Sequence, residues 1–178
     1  VSCDNDKKSQ FKLPSLYSSG MVLQRDTLIT IKGKYTANQK INITCSWGFD
    51  TVTHSDSNGK WIAHLKTNSI DGPQQLTLES LNDQYKIKNI LLGEVWVASG
   101  QSNMEHTFDY CCNSTDSSNV EINSADYPNI RMFNVKKTLS VKPLHDTQGE
   151  WVSAIGKNII DFSAVGYFFA KKLYKNLG

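Results

Sequence analysis

Short stretches in which apolar and polar residues alternate recur between Phe11 and Ile90. They are Leu28-Ile29-Thr30-Ile31, Lys40-Ile41-Asn42-Ile43-Thr44, Trp61-Ile62-Ala63-His64-Leu65, Gln75-Leu76-Thr77-Leu78 and Tyr85-Lys86-Ile87-Lys88. Turn formers stand between them at Asp56-Ser57-Asn58-Gly59, Asp71-Gly72-Pro73 and Asn82-Asp83. Successive side chains of a strand point to opposite faces, so a period of two means one face buried and one wet. The spacing predicts a small antiparallel β-sandwich over residues 11–90, preceded by a polar tether over 1–10.

The pattern changes near Leu92. Glu94-Val95-Trp96-Val97-Ala98-Ser99 is a nearly continuous apolar run, which predicts a strand covered on both faces. It stops at Gly100-Gln101-Ser102-Asn103-Met104, where Ser102 and Asn103 are helix-start residues and Glu105 suits a first turn. Residues 109–127 are rich in Ser, Asn and Asp and read as a long surface loop, and Asn129–Val135 alternates as a further strand. Ser163 to Leu177 predicts an amphipathic helix with Ser163 as N-cap and Val165, Phe168, Phe169, Leu173 and Leu177 close to one face. Strand, helix, strand, helix is the opening of an α/β sheet domain. The expected class is therefore mixed β plus α/β, with the second domain running over 91–178 and incomplete.

Composition narrows the function classes. With 39% hydrophobic and 20% charged residues in 178, the chain is too apolar for disorder. A formal charge of +2 without a basic block argues against nucleic acid as a partner, and no run is long enough for a membrane helix. Cys3, Cys45, Cys111 and Cys112 have neither the CxxC nor the Cys/His spacing of a zinc site. They read either as thiols or as a disulfide, the Cys111–Cys112 pairing being strained. Asn42-Ile43-Thr44 and Asn113-Ser114-Thr115 are sequons that matter only in a secreting eukaryote.

The candidate chemistry is a serine just past a buried strand. Such a position lifts Ser102 to the carboxyl edge of a sheet and sets backbone N–H groups where an oxyanion could form. The plainer alternative is a helix cap. His106 comes one helical turn after Ser102. His54 and His64 fall in the β region as surface or edge residues, and His145 stands beside Asp146, but sequence neighbours rarely bond as base and orienter. No Asp stands three residues before any histidine. Trp47, Trp61, Trp96 and Trp151 read as core rather than as sugar platforms.

The block Gly93-Glu94-Val95-Trp96-Val97-Ala98-Ser99-Gly100-Gln101-Ser102-Asn103-Met104-Glu105 resembles the nucleophile region of the sialate O-acetylesterase family, which are SGNH-type serine hydrolases. Met21-Val22-Leu23-Gln24-Arg25-Asp26, Gly149-Glu150-Trp151 and Phe162–Ala170 with Leu173 resemble further passages of that family, in order, from about residue 13 to 178. The resemblance implies the N-terminal portion of such an enzyme, its α/β domain flavodoxin-like. Ser102 would be nucleophile and backbone oxyanion donor, and Gly100, Gln101 and Asn103 would shape the turn. The catalytic His and Asp are expected downstream of Gly178, so the fragment by itself is expected to be inactive. No metal or cofactor is implied. The implied substrate is an O-acetylated sugar or sialoglycan; acetylxylan is an alternative, and a non-catalytic glycan-binding module is the reading from a different class. Further partners would be the rest of the catalytic domain or a second copy. Val1-Ser2-Cys3 resembles the end of a bacterial lipoprotein signal, which implies an exported protein: periplasmic, secreted or a cell-surface lipoprotein, with Cys3 then unavailable for a disulfide.

Overall fold

The computed structural model describes residues 9–109 and 116–177. The predictions that fall on Cys3, Cys111, Cys112 and the Asn113 sequon lie outside them. Two compact units divide the chain: one is Val1–Glu94 with Lys142–Thr147, the other Val95–Val141 with Gln148–Gly178.

The first unit is built from seven strands: β1 (Val22–Gln24), β2 (Leu28–Lys34), β3 (Lys40–Cys45), β4 (Phe49–His54), β5 (Lys60–Lys66), β6 (Gln74–Ser80) and β7 (Asp83–Gly93). Five form one sheet in the order β1-β7-β6-β3-β4, and β2 and β5 pair antiparallel as a second. Alternation does what period two requires. On β5, Trp61, Ala63 and Leu65 are buried while Lys60, Ile62, His64 and Lys66 face water. Ile41 and Ile43 of β3, Leu76 and Leu78 of β6 and Ile87 and Ile90 of β7 are at most 1% exposed. Each such side chain contributes roughly 1.5–3 kcal/mol relative to exposure.

The antiparallel expectation needs correction at one edge. β1 runs parallel to β7, with Val22 opposite Leu91 and Gln24 opposite Gly93. Five strands intervene between them, so no hairpin fixes their relative direction.

The second unit contains α1 (Ser102–Glu105), α2 (Asp116–Ser124), β8 (Asp126–Phe133), β9 (Trp151–Ile155), a 3₁₀ turn (Gly156–Ile159) and α3 (Ala164–Leu177). β8 and β9 pair antiparallel, with an irregularity between Tyr127 and Arg131 where Pro128 cannot donate to a ladder. Phe133 lies opposite Trp151 with ring centroids 5.3 Å apart. A Cβ on Gly149 would stand 2.6 Å from the Phe133 ring and 2.7 Å from the Asn134 carbonyl oxygen, so this approach requires glycine. Phe108, Ala125, Ile130, Met132, Ala154, Ile159, Ala164 and Tyr167 form the unit's core.

Three expectations fail here, each for a physical reason. Part of the predicted surface loop is helical: α2 is fixed by tertiary contacts that its Ser- and Asn-rich sequence conceals, with Ile122 against the core and Glu121 bonded to α3. The run Val95–Ser99 is not a covered strand; Trp96 is 61% and Val97 90% exposed, and none of the described strands is registered beside it. In α3 the buried residues are Ala164, Gly166 and Tyr167, while of the expected inward row Val165, Phe168, Phe169 and Leu177 are half exposed and Leu173 is partly buried. The helix is apolar on more than one side, and the side bearing Tyr167 meets the β8–β9 core.

Candidate active site

Ser102 is the first residue of α1, behind Gln101 as N-cap. The turn is closed by the backbone N–H groups of Met104 and Glu105, which both donate to the Gln101 carbonyl at 2.9 and 3.2 Å. Those of Ser102 and Asn103 stand in the first turn, where an α-helix has no internal acceptor. Gln101 makes no side-chain cap bond. A Cβ on Gly100 would come 3.1 Å from the Met104 Cβ, so a larger residue there would push on the turn. Ser102, Gln101 and Asn103 are exposed, and no protein group among the described residues hydrogen-bonds the Ser102 hydroxyl.

The segment after Ser102 is anchored in the second unit. Phe108 is buried, with ring centroids 5.5 Å from Tyr167 and 5.7 Å from Phe168. The Phe108 N–H donates to the Ile160 carbonyl at 3.1 Å, and the Ala164 N–H to the His106 carbonyl at 2.9 Å. Ser163 caps α3 as the sequence predicts, its Oγ accepting the Gly166 N–H at 3.1 Å and donating to the Met104 sulfur at 3.2 Å. The serine-bearing turn is thereby tied to the start of α3. The side chain of Glu105 turns outward to Lys137 at 3.1 Å.

The segment leading to this block leaves the first unit through a clamp that the spacing of residues did not suggest. Glu94 receives the Gln24 side-chain amide at 3.0 Å on one carboxylate oxygen and the Arg25 guanidinium at 3.0 Å on the other. The Arg25 N–H adds a bond to the Gly93 carbonyl, also at 3.0 Å. The hydrogen bonds from Gln24 and then Arg25 hold the Glu94 carboxyl below its ordinary value. Two of the passages that carried the family resemblance thus touch each other.

Three of the four histidines belong to the first unit and one to the second. His54 and His64 are outward on β4 and β5, with His64 Nδ1 3.0 Å from the Thr30 hydroxyl. His145 belongs to the first unit as well. The Asp146 carboxylate beside it accepts the backbone N–H and hydroxyl of Ser15 and the Thr147 N–H. That is a loop-tying role, which leaves the His145–Asp146 half-triad without support. His106 alone shares the second unit with Ser102, as the half-buried C-cap of α1.

The other candidate side chains are structural. Cys45 is buried, and burial with the Asp50 charge pushes its thiol up to about 12, which makes it inert as a nucleophile. Trp47 and Trp61 are buried in the core as expected, whereas Trp96 stands exposed against Phe169, centroids 5.3 Å apart. Among the described residues no three His, Cys, Asp or Glu side chains cluster as a metal site would need, and no helix is long and apolar enough to cross a membrane.

No family model matches the chain. Over 94% of its length it is 29% identical to the sialate O-acetylesterase of Pongo abelii and 28% identical to that of Homo sapiens, covering 35% of each. The crystal structure of a carbohydrate acetylesterase from Xanthomonas citri superposes on 94% of the chain with a TM-score of 0.86 at 32% identity, the chain covering 38% of that protein. The chain therefore spans about a third of the length of the relatives it matches.

Proposed function

Because the chain belongs to the sialate O-acetylesterase family, we propose that the protein is part of a carbohydrate O-acetylesterase, with O-acetylated sialic acids as its substrate class and Ser102 as its nucleophile. The observation that carries the reading is Ser102 itself: an exposed hydroxyl with no protein partner among the described residues, on the first residue of a helical turn, inside the block Gly100-Gln101-Ser102-Asn103-Met104.

The chemistry is acyl transfer. Ser102 Oγ attacks the acetyl carbonyl as a base removes its proton, and the tetrahedral oxyanion forms within reach of the Ser102 backbone N–H. Collapse expels the sugar hydroxyl, which takes the proton from the base. Water, activated by the same base, then releases acetate. Gly100, Gln101 and Asn103 hold the turn. The base and its orienting carboxylate are assigned to the part of the relatives' length that this chain does not span. The exposed apolar run at Trp96 and Val97 and the outer side of α3 supply a surface on which that part would complete the domain.

The test is Ser102→Ala in the full-length parent, assayed on a small acetyl ester. Loss of roughly a thousandfold or more is expected, and turnover at the wild-type rate overturns the assignment. Residues 1–178 alone should hydrolyse the ester no faster than buffer; Ser102-dependent turnover by that fragment would instead promote His106 to the base.

A further inference from the structure

The outer face of the β2–β5 sheet is cationic to a degree that the net charge conceals. Its eight outward positions are Leu28, Thr30, Lys32 and Lys34 on β2 and Lys60, Ile62, His64 and Lys66 on β5, all exposed. Register places Lys34 directly opposite Lys60. On the other side of Lys34 the isolated bridge with Lys12 adds a third lysine, held by two backbone bonds of 2.9 and 2.8 Å. Lys12, Lys34 and Lys60 therefore form one row across three adjacent backbones, neighbours about 5 Å apart at the Cα, with Lys32 one step of about 7 Å along the strand.

Among the described residues no carboxylate pairs with the row: none of the lysines at positions 12, 32, 34, 60 and 66 has an ion pair. The two carboxylates near the ends of the face, Asp56 and Asp83, accept hydrogen bonds from other groups and pair with none of these lysines. Asp56 accepts the N–H groups of Asn58 and Lys60, and Asp83 accepts the Gln10 N–H and the Ser9 hydroxyl. Like charges directly opposite in a sheet oppose folding, so this face carries a repulsion that an external anion would remove.

We propose that this face binds a carboxylate-bearing polysaccharide. A linear polyanion matches a row of point charges better than a single small anion does. The face has no arginine, since Arg25 and Arg131 lie elsewhere, so it would hold its ligand through lysine point charges rather than through a bidentate fork. None of the eight positions is Phe, Tyr or Trp, and the one imidazole, His64, is engaged at 3.0 Å with the Thr30 hydroxyl, so the face has no row of rings on which successive nucleobases could stack. Its two apolar residues, Leu28 and Ile62, are too few to anchor in a bilayer. The choice of a sugar acid rests on the carbohydrate-esterase reading; the cationic row does not.

The probe is unacetylated polysialic acid, which offers no ester, so binding is read independently of hydrolysis. Wild-type protein should bind it at low salt, weaken as salt rises, and ignore neutral dextran. The triple variant Lys12→Gln, Lys34→Gln, Lys60→Gln should bind about tenfold or more weakly. It should fold with an unchanged or raised melting temperature, and in the full-length parent it should leave hydrolysis of a small acetyl ester intact. Absence of wild-type binding at low salt, equal binding by the variant, or tighter binding to oligo-dT or to phosphatidylglycerol vesicles would each overturn the proposal. Failure of Ser102→Ala to reduce hydrolysis, with polysialic acid binding preserved, would remove the esterase reading and leave the face.

Discussion

The two units treat their apolar residues in opposite ways. In the first, every strand residue that alternation turns inward on β3 and β5 is buried, and Ile41, Leu65, Leu76 and Leu78 are completely so. In the second, Phe108, Ile130, Met132 and Tyr167 make a real but small core, while Trp96 and Val97 are mostly exposed and Val165, Phe168 and Phe169 half exposed. The first unit fills its interior from its own strands, although Leu28, Val52, Ile62 and Leu81 stay exposed at its surface. The second leaves Trp96 and Val97 exposed side by side in one run, and under the proposed function the remainder of the domain would cover them.

Truncating side chains on both sides should expose that contrast most sharply. Leu78→Ala opens a cavity in a filled interior and should cost about 2–5 kcal/mol in denaturant unfolding. Val97→Ser should cost less than about 0.5 kcal/mol in the same chain, because its side chain is 90% exposed. Where the remainder of the proposed domain is present, the second substitution should become expensive. Equal, small costs in both contexts would mean that the surface around Val97 is never covered.

The next test concerns what holds the second unit together. Glu121 of α2 accepts the Tyr167 hydroxyl at 2.5 Å and the Lys171 ammonium of α3, the pair lying 17% and 18% exposed. Burial pushes the Glu121 carboxyl up, but the bonds from Lys171 and Tyr167 outweigh it and hold it below its ordinary 4.5. Lys171 is likewise opposed by burial and raised overall by Glu121. Burial first, then Glu121, pushes the Tyr167 hydroxyl up, so it stays protonated and donating. Glu121→Ala should cost about 1–3 kcal/mol by leaving the Tyr167 hydroxyl and Lys171 without their acceptor.

The pH dependence has a definite sign. A depressed carboxyl contributes stability that is present above its unfolded value and lost as pH falls through the folded one. The raised lysine contributes below 10.5 and loses it as pH climbs past the folded value. Wild type should therefore lose more stability than Glu121→Ala between pH 5 and about pH 3, measured by thermal melts of both. Parallel curves would show the pair to be energetically idle.

What the sequence disclosed divides along the same line. β5 was legible because Lys60-Trp61-Ile62-Ala63-His64-Leu65-Lys66 alternates polar and apolar at every position but Ile62. β4 was not, since its less exposed positions, Phe49, Thr51 and Thr53, are mostly threonine while Val52 faces out. Thr53 spends its hydroxyl on the Ile62 carbonyl at 2.6 Å, a bond that no periodicity announces. α2 was hidden because Asp116-Ser117-Ser118-Asn119 has weak helix propensity and the helix depends on Glu121 and Ile122 finding α3 and the core. The site was legible as words more than as geometry. Ser102 at the first position of α1 and Ser163 as a cap follow from local rules, but the Gln24–Arg25–Glu94 clamp joins residues about 70 apart and required the fold.

That clamp gives the smallest and most discriminating prediction. Its three side chains are at the surface, so its removal should hardly move a melting curve. The Glu94 carboxyl is the better reporter. Its depression comes first from the Gln24 amide, next from the Arg25 hydrogen bond, and only lastly from the Arg25 charge acting at a distance. Titrated by NMR, Glu94 should therefore ionise below 4.5 and move toward that value in Gln24→Ala as well as in Arg25→Gln. High salt should move it little, since salt screens exposed charges more than it breaks directed hydrogen bonds. A Glu94 carboxyl that returns to its ordinary value in salt alone, and ignores Gln24→Ala, would reduce the clamp to a surface ion pair. The contact between the Met21–Arg25 passage and the root of the Ser102 block would then be proximity without hold.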